Sequence, residues 1–423
     1  MTTPPSPERA SVWLEFSPLA QACSSINLGQ GFPDWAPPPF VQVAAQEACQ
    51  GSKFSTYARS PGHMPLVDEI AKAYCPKLDR SIDPKKNVLV TVGASEAIYL
   101  AIRSHIKAGN EVVLLEPAFD IYFGALRMAG ATVKSVPLDI PGRCQSSEDI
   151  TIPWDKIRSA LSDKTRAIII NTPHNPTGKV FTPAECQQLA TVLEPYPNCL
   201  VIADEVYEHL VYDHKKHVPI ARTPGLASKT LSIYSAGKTF SVTGWKIGWV
   251  IGDRDLIYPM QLNQQWVVFS VATPLQEAIA RSLQQAELAF DNQKTYYEAL
   301  TSLYEGKRDR LIQGLRDIGF HPMNPEGSFF VCCDISSGFS SYQGLPKDLP
   351  ELYQRHGIDW DHDTQSLLDY NVVRHLSLSK GVTTIPTSAF FVPSHRHGSN
   401  CHWIRFAFCK SDHLLDQAIE QLG

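Results

Sequence analysis

The sequence predicts an α/β protein built on a large, mostly parallel seven-stranded sheet, with a smaller α+β domain beside it. Between residues 88 and 251, short apolar runs rich in β-branched residues alternate with longer segments of helical character. That alternation is the pattern of a parallel sheet buried on both faces by helices. Beyond residue 318 it gives way to mixed helix and strand patterns, which mark a second unit. Polar, Gly-containing motifs follow several of the apolar runs, at the strand ends where such sheets collect ligands.

A chain of 423 residues implies two or three domains. With 43% hydrophobic and 19% charged residues it reads as a folded globular protein. A formal net charge of -5 argues against nucleic acid or an acidic membrane surface as partner. The ten cysteines include no CxxC, and Cys332 and Cys333 are adjacent, a poor disulfide framework that points to a reducing compartment. The opening residues lack an apolar stretch and make a poor transit peptide, so a cytoplasmic location is expected, with a mitochondrial one open through an alternative start. Apolar runs are too short to span a bilayer. His395, His397, Cys401 and His402 cluster in a polar turn without a second ligand pair, and no metal is expected there.

Residues 1–40, rich in Pro and aromatics, read as an arm that packs on other elements and contributes to the small domain. A large domain is expected over 41–300 and a small one over 301–423. Residues 40–50 fit a helix, and 54–62 an exposed connector. Strands are expected at 88–92, 111–115, 131–136, 167–170, 200–203, 231–234 and 247–251. Residues 283–317, free of Pro and Gly until Gly306, predict one long helix. Residues 336–363 begin Gly/Ser/Pro-rich and predict a mobile loop.

The chemistry centres on Lys238, in the stretch Ser-Ala-Gly-Lys-Thr-Phe-Ser-Val-Thr-Gly-Trp-Lys at 235–246. A strand ending there delivers the lysine to a tight loop, where apolar surroundings favour the neutral, nucleophilic amine of a Schiff-base lysine. Ser235 and Lys246 add a hydroxyl and a second cation, a set suited to a phosphate. An ordinary loop lysine is the commoner reading of such a spacing taken alone. Gly93-Ala94-Ser95 reads as a strand, a glycine turn and a helix start whose free amides could hold an anion, or equally as a capped helix. Asp204 follows four apolar residues, and a carboxylate there needs a cation. Arg405, within an apolar strand-like run, suits either a ligand carboxylate or a protein acid. Asn175 lies in a Pro-flanked turn, and Phe119 follows a strand. Gly29 and Gly31 flank Gln30 where only small residues let the backbone approach a ligand.

These segments, together with 92–97 (Val-Gly-Ala-Ser-Glu-Ala), 171–178 (Asn-Thr-Pro-His-Asn-Pro-Thr-Gly), 203–207 (Ala-Asp-Glu-Val-Tyr), 404–408 (Ile-Arg-Phe-Ala-Phe) and 27–34 (Asn-Leu-Gly-Gln-Gly-Phe-Pro-Asp), resemble in order the motifs of fold-type I pyridoxal phosphate aminotransferases. Within them the chain looks most like the kynurenine aminotransferase, glutamine transaminase K and cysteine S-conjugate beta-lyase group. The resemblance implies pyridoxal 5′-phosphate on Lys238, with Asp204 at its ring nitrogen and Phe119 stacked on the ring. Asn175 and Tyr207 would meet its ring oxygen, and Ala94, Ser95, Ser235 and Lys246 its phosphate. Arg405, Asn175, Gly31 and Trp13 would bind the substrate. Tyr57 matches the residue that reaches a partner's phosphate, implying a homodimer with shared active sites.

An amino acid and a 2-oxo acid are the implied substrates, exchanged by a ping-pong route. Trp13, Phe32, Tyr57, His63, Phe269 and Phe329 suggest a pocket for large apolar or aromatic side chains such as kynurenine, phenylalanine, methionine or glutamine. His174 and Ser95 depart from residues common in that group, so the order of substrates is not carried over. Another class I or II aminotransferase, or a pyridoxal phosphate lyase, remains the alternative.

Overall fold

The computed structural model describes residues 11–339, 342 and 344–423. In chain order its strands are β1 Ile26–Asn27, β2 Val88–Val92, β3 Glu111–Glu116, β4 Thr132–Pro137, β5 Thr165–Asn171, β6 Leu200–Asp204, β7 Thr230–Ser235, β8 Ile247–Ile251, β9 His321–Pro322, β10 Phe330–Asp334, β11 Val382–Thr383, β12 Ile385–Pro386 and β13 Trp403–Ala407. The large sheet has the order β2-β8-β7-β6-β5-β3-β4. Only β8 runs against its neighbours, and the pairings from β7 to β4 are all parallel. All seven expected strands are present, displaced by a residue or two at their ends.

Alternate residues of the central strands enter different cores. Ile168 and Ile170 of β5 join Val201 and Ala203 of β6 on one face, while Ala167 and Ile169 join Leu200 and Ile202 on the other. Helices cover both faces, which is why these strands read as continuous apolar runs without polar alternation.

The strands β12-β13-β10-β9 form an antiparallel sheet, and β1 pairs in parallel with β11. Thus the beginning of the chain is tied to its last quarter. The helix Val12–Ala22 is tied there too, because Glu15 accepts from Arg374 Nε at 2.7 Å and from the Tyr353 hydroxyl at 2.7 Å.

Two expectations fail. The long helix expected over 283–317 is two helices, Thr273–Ala286 and Tyr296–Asp317. Asp291 and Asn292 take left-handed φ values of 46° and 62°, and Thr295 then caps the second helix by accepting from Glu298 N–H at 3.2 Å. Asn and Asp tolerate that conformation, so the break needs no glycine. The loop expected over 336–363 contains a helix, Leu349–His356, which buries Leu349 and Tyr353 and ends at Gly357 with φ 61°. The Gly/Ser-rich start of that segment masked the amphipathic period behind it.

Candidate active site

A cleft of about 330 Å³ opens where β2, β3, β5, β6 and β7 end and β8 begins. Because β8 is antiparallel, its first residues lie at the same sheet edge as the last residues of the others. The ends of six strands therefore converge on one place.

Lys238 stands in the helical turn Ala236–Thr239 directly after β7. Its amine donates to Gly31 O at 3.1 Å, and the rings of Phe329 and Tyr207 lie 4.9 and 5.8 Å from it. Burial lowers its pKa to about 8, so a neutral amine is accessible near physiological pH.

Asp204 ends β6 and is buried. Its carboxylate accepts from the Tyr122 hydroxyl at 2.5 Å and from Val206 N–H at 3.4 Å. Burial raises its pKa to about 6. Among the described residues no cation lies within ion-pair distance of it, and Lys238 acts on it only from farther across the cleft.

Arg405, in the middle of β13, donates to Asn175 Oδ1 at 2.7 Å and to Gly29 O at 2.6 Å. Among the described residues its Nε has no partner, and the Phe330 ring centre lies 3.9 Å from the guanidinium carbon. Burial lowers its pKa to about 10. Asn175 is itself fixed, because Asn171 Oδ1 accepts from its backbone N–H at 2.7 Å. Arg405 uses only the oxygen of the Asn175 amide.

Gly93, Ala94 and Ser95 open the helix Gly93–His105, which no side chain of the described residues caps, so its first amides remain available. Gly93 has φ 69°, a turn that a side chain would strain. Ser235 and Lys246 border the cleft with them, and the Lys246 amine is so close that a Cβ on Gly93 would lie 3.3 Å from it. Free helix amides, hydroxyls and an ammonium together make an anion site.

Phe119, Trp13 and Gly31 also line the cleft, as does Tyr207. The Tyr207 hydroxyl has no protein partner among the described residues, and burial raises its pKa far above the usual value, which keeps it a donor. A Cβ on Gly31 would come within 2.6 Å of the Phe329 ring and 2.7 Å of the Phe330 ring, so this wall is packed too closely for any other residue.

Four residues expected in the pocket do not line it. Tyr57 is 83% exposed with its ring 5.2 Å from that of Phe269, which is also exposed. His63 pairs with Glu277 at 2.9 Å, and Phe329 is buried behind Tyr207 at 5.0 Å. His174, expected to bear on substrate preference, is buried elsewhere, its Nδ1 2.7 Å from Thr177 Oγ1. Burial holds it neutral, with a pKa of about 3. Conversely Phe330, Tyr122 and Asn171 line the cleft unforeseen. Tyr122 could have been found three residues after Phe119 on a helix. Phe330 had no local signal, since its place follows from β10 pairing with β13.

The sequence profile of the class I and II aminotransferases matches residues 24–422. The chain belongs to this family. The aminotransferase is 41% identical over 422 residues to a kynurenine--oxoglutarate transaminase from Dictyostelium discoideum, spanning 97% of this chain and 93% of that one. Among solved structures, Bna3p from Saccharomyces cerevisiae is 32% identical with a TM-score of 0.87, covering 98% of this chain and 96% of that one. The N-succinyldiaminopimelate aminotransferase from Mycobacterium tuberculosis is 37% identical with a TM-score of 0.83, again over 98% and 96%.

Proposed function

We propose that this aminotransferase uses pyridoxal 5′-phosphate to move the amino group of a large apolar or aromatic amino acid to a 2-oxo acid. Kynurenine-type donors come first, with glutamine, phenylalanine and methionine beside them and elimination from cysteine S-conjugates as a side reaction. One observation carries the reading: an amine, a carboxylate and a guanidinium border the same cleft, the last two without an ion-pair partner among the described residues.

The residues present fit the cofactor. Asp204 offers its buried carboxylate to a protonated ring nitrogen, and Phe119 a face for the ring. Tyr207 and Asn175 keep donors for the ring oxygen. The free amides at Gly93, Ala94 and Ser95, with Ser235 and Lys246, suit the phosphate, and Lys238 suits the covalent attachment. When bound, the cofactor supplies an electron sink that weakens the donor's Cα–H bond.

Arg405 grips the donor's α-carboxylate through its planar fork, exchanging the Gly29 carbonyl for a charged partner. Lys238 Nζ, freed from the attachment when the donor's amine replaces it, would take the Cα proton, a task its lowered pKa suits. Trp13, Phe32 and Phe330 present apolar walls to the donor side chain and exclude water from it. The 2-oxo acid then meets the same residues in reverse order. The similarity to the Dictyostelium enzyme supports kynurenine; that to the Mycobacterium tuberculosis enzyme supports a donor with a distal carboxylate as second reading.

Tyr57, exposed and outside its own chain's cleft, supports a homodimer in which it reaches the partner's phosphate. The ten cysteines are all free thiols, which supports the expected cytoplasmic location.

A donor panel tests the proposal: kynurenine, phenylalanine, methionine, glutamine, aspartate and N-succinyldiaminopimelate against several 2-oxo acids, read as oxo-acid product. Kynurenine ranking far below aspartate removes the donor class. Visible absorbance of the cofactor is expected to vanish in Lys238→Ala, and its persistence removes the assignment of the attachment lysine.

A further inference from the structure

Residues 29–32 form a strap along the cleft, held in an unusual way. Its ends are fixed: Leu28 O accepts from Ala407 N–H at 2.6 Å, and Asp34 Oδ1 accepts from Ser411 N–H at 2.6 Å. The amides of Gly29 and Gln30 donate to Asn27 Oδ1 at 2.9 and 3.1 Å. Three carbonyls between these ends go to cations: Gly29 O to Arg405 at 2.6 Å, Gly31 O to Lys238 at 3.1 Å and Phe32 O to Lys410 at 2.8 Å.

Two of those cations belong to the reacting set. Once Arg405 holds a carboxylate and Lys238 carries the cofactor, the Gly29 and Gly31 carbonyls lose their donors. Of the three cations, Lys410 alone then still holds its carbonyl. It is 2% exposed, does not line the cleft, and has no carboxylate within ion-pair distance among the described residues. Asp34 acts on it only from beyond ion-pair distance, and burying a cation with so little compensation is costly, so it marks a residue kept for what it holds. What it holds is Phe32, twice over: by the carbonyl, and by the ring, whose centre lies 3.7 Å from the ammonium. Phe32 is an apolar wall of the cleft.

We propose that Lys410 is a positioning residue that keeps the strap closed on the donor when Arg405 and Lys238 are engaged, and so sets the preference for large apolar side chains through Phe32. The inference rests on the proposed donor class. Its test has one arm that needs no turnover.

In holoenzyme with saturating 3-phenylpropionate, a carboxylate bearing a phenyl group and no amine, hydrogen exchange at residues 29–34 is expected to run about tenfold faster in Lys410→Met than in the unaltered protein. Met keeps an unbranched apolar stem, one atom shorter, and removes the charge and the donors. In turnover, the kcat/KM ratio of phenylalanine to alanine falls about tenfold, through KM more than kcat. Phe32→Leu reproduces that fall with Lys410 intact, and the double variant falls no further. Unchanged exchange overturns the proposal, as does an equal loss for both donors or additive losses in the double variant. An unaltered enzyme that rejects every apolar donor instead overturns the proposed donor class, while the exchange arm still tests Lys410.

Discussion

Two arginines lie almost wholly buried, Arg374 beneath the N-terminal helix at 0% exposure and Arg405 beside the cleft at 1%, and their charges are met in opposite ways. Arg374 has the Glu15 carboxylate at 2.7 Å, the Thr364 hydroxyl at 2.7 Å and the Asn371 amide oxygen at 3.2 Å. Among the described residues Arg405 has two neutral oxygens, three aromatic faces and an unused Nε. Desolvating a guanidinium costs several kcal/mol, and only a carboxylate in good geometry offsets it. The first site is complete within the protein; the second lacks one partner, and a substrate carboxylate has the charge and shape to supply it. What marks a binding arginine is therefore its missing acid, not its burial.

Truncating each arginine in turn separates the two sites most widely. Arg405→Met is expected to lower kcat/KM for the amino donor by on the order of a thousandfold while leaving the thermal midpoint unchanged or higher. Arg374→Met should do the reverse, losing about 3–5 kcal/mol in urea unfolding because Glu15 is left buried and alone. The double change Glu15→Leu with Arg374→Met recovers most of that loss if the pair acts as a unit. A stability loss of equal size in both single variants ends the distinction.

Asp204 extends the argument to an anion. Burial raises it from 3.8 to about 6, so without cofactor its proton stabilises the fold, and that contribution is lost as pH rises from the unfolded value through the folded one. Asp204→Asn stays neutral throughout. It should therefore gain stability over the unaltered apoprotein between about pH 4 and pH 6, reaching at most about 3 kcal/mol at pH 7. Denaturation midpoints across that range check it, and a gain independent of pH contradicts it. The smallest effect belongs to His174, whose ring pairs with Thr177 outside the cleft. His174→Asn should leave the ranking of amino donors within about twofold of the original, as measured by kcat/KM.

The large sheet was legible because its strands, buried on two faces, are apolar over their whole length. Site residues just past the strand ends were legible for the same reason: Gly93, Asp204 and Lys238 each interrupt an apolar run with a residue the strand has no use for. Arg405 stood out as a lone charge in such a run. What it touches did not, because Gly29, Asn175 and Phe330 come from three distant stretches and meet only through sheet pairing. Lys410 was invisible likewise, since its claims to notice are a carbonyl and a ring that both belong to residue 32. The broken helix was a misreading of local signals: Asp291, Asn292 and a Thr295–Glu298 cap were present in the sequence and outvoted by the lack of Pro and Gly.

The cleft draws on residues as far apart in the chain as Trp13 and Arg405. Loop-closure entropy makes contacts of such sequence separation slow to form, so the proposed grip on a carboxylate is completed only when the first and last portions of the polypeptide have met. A half-folded chain has the lysine and the sheet edge but no place for the acid. Ligands bearing that acid bind the finished molecule alone, and by mass action pull the nascent population toward it.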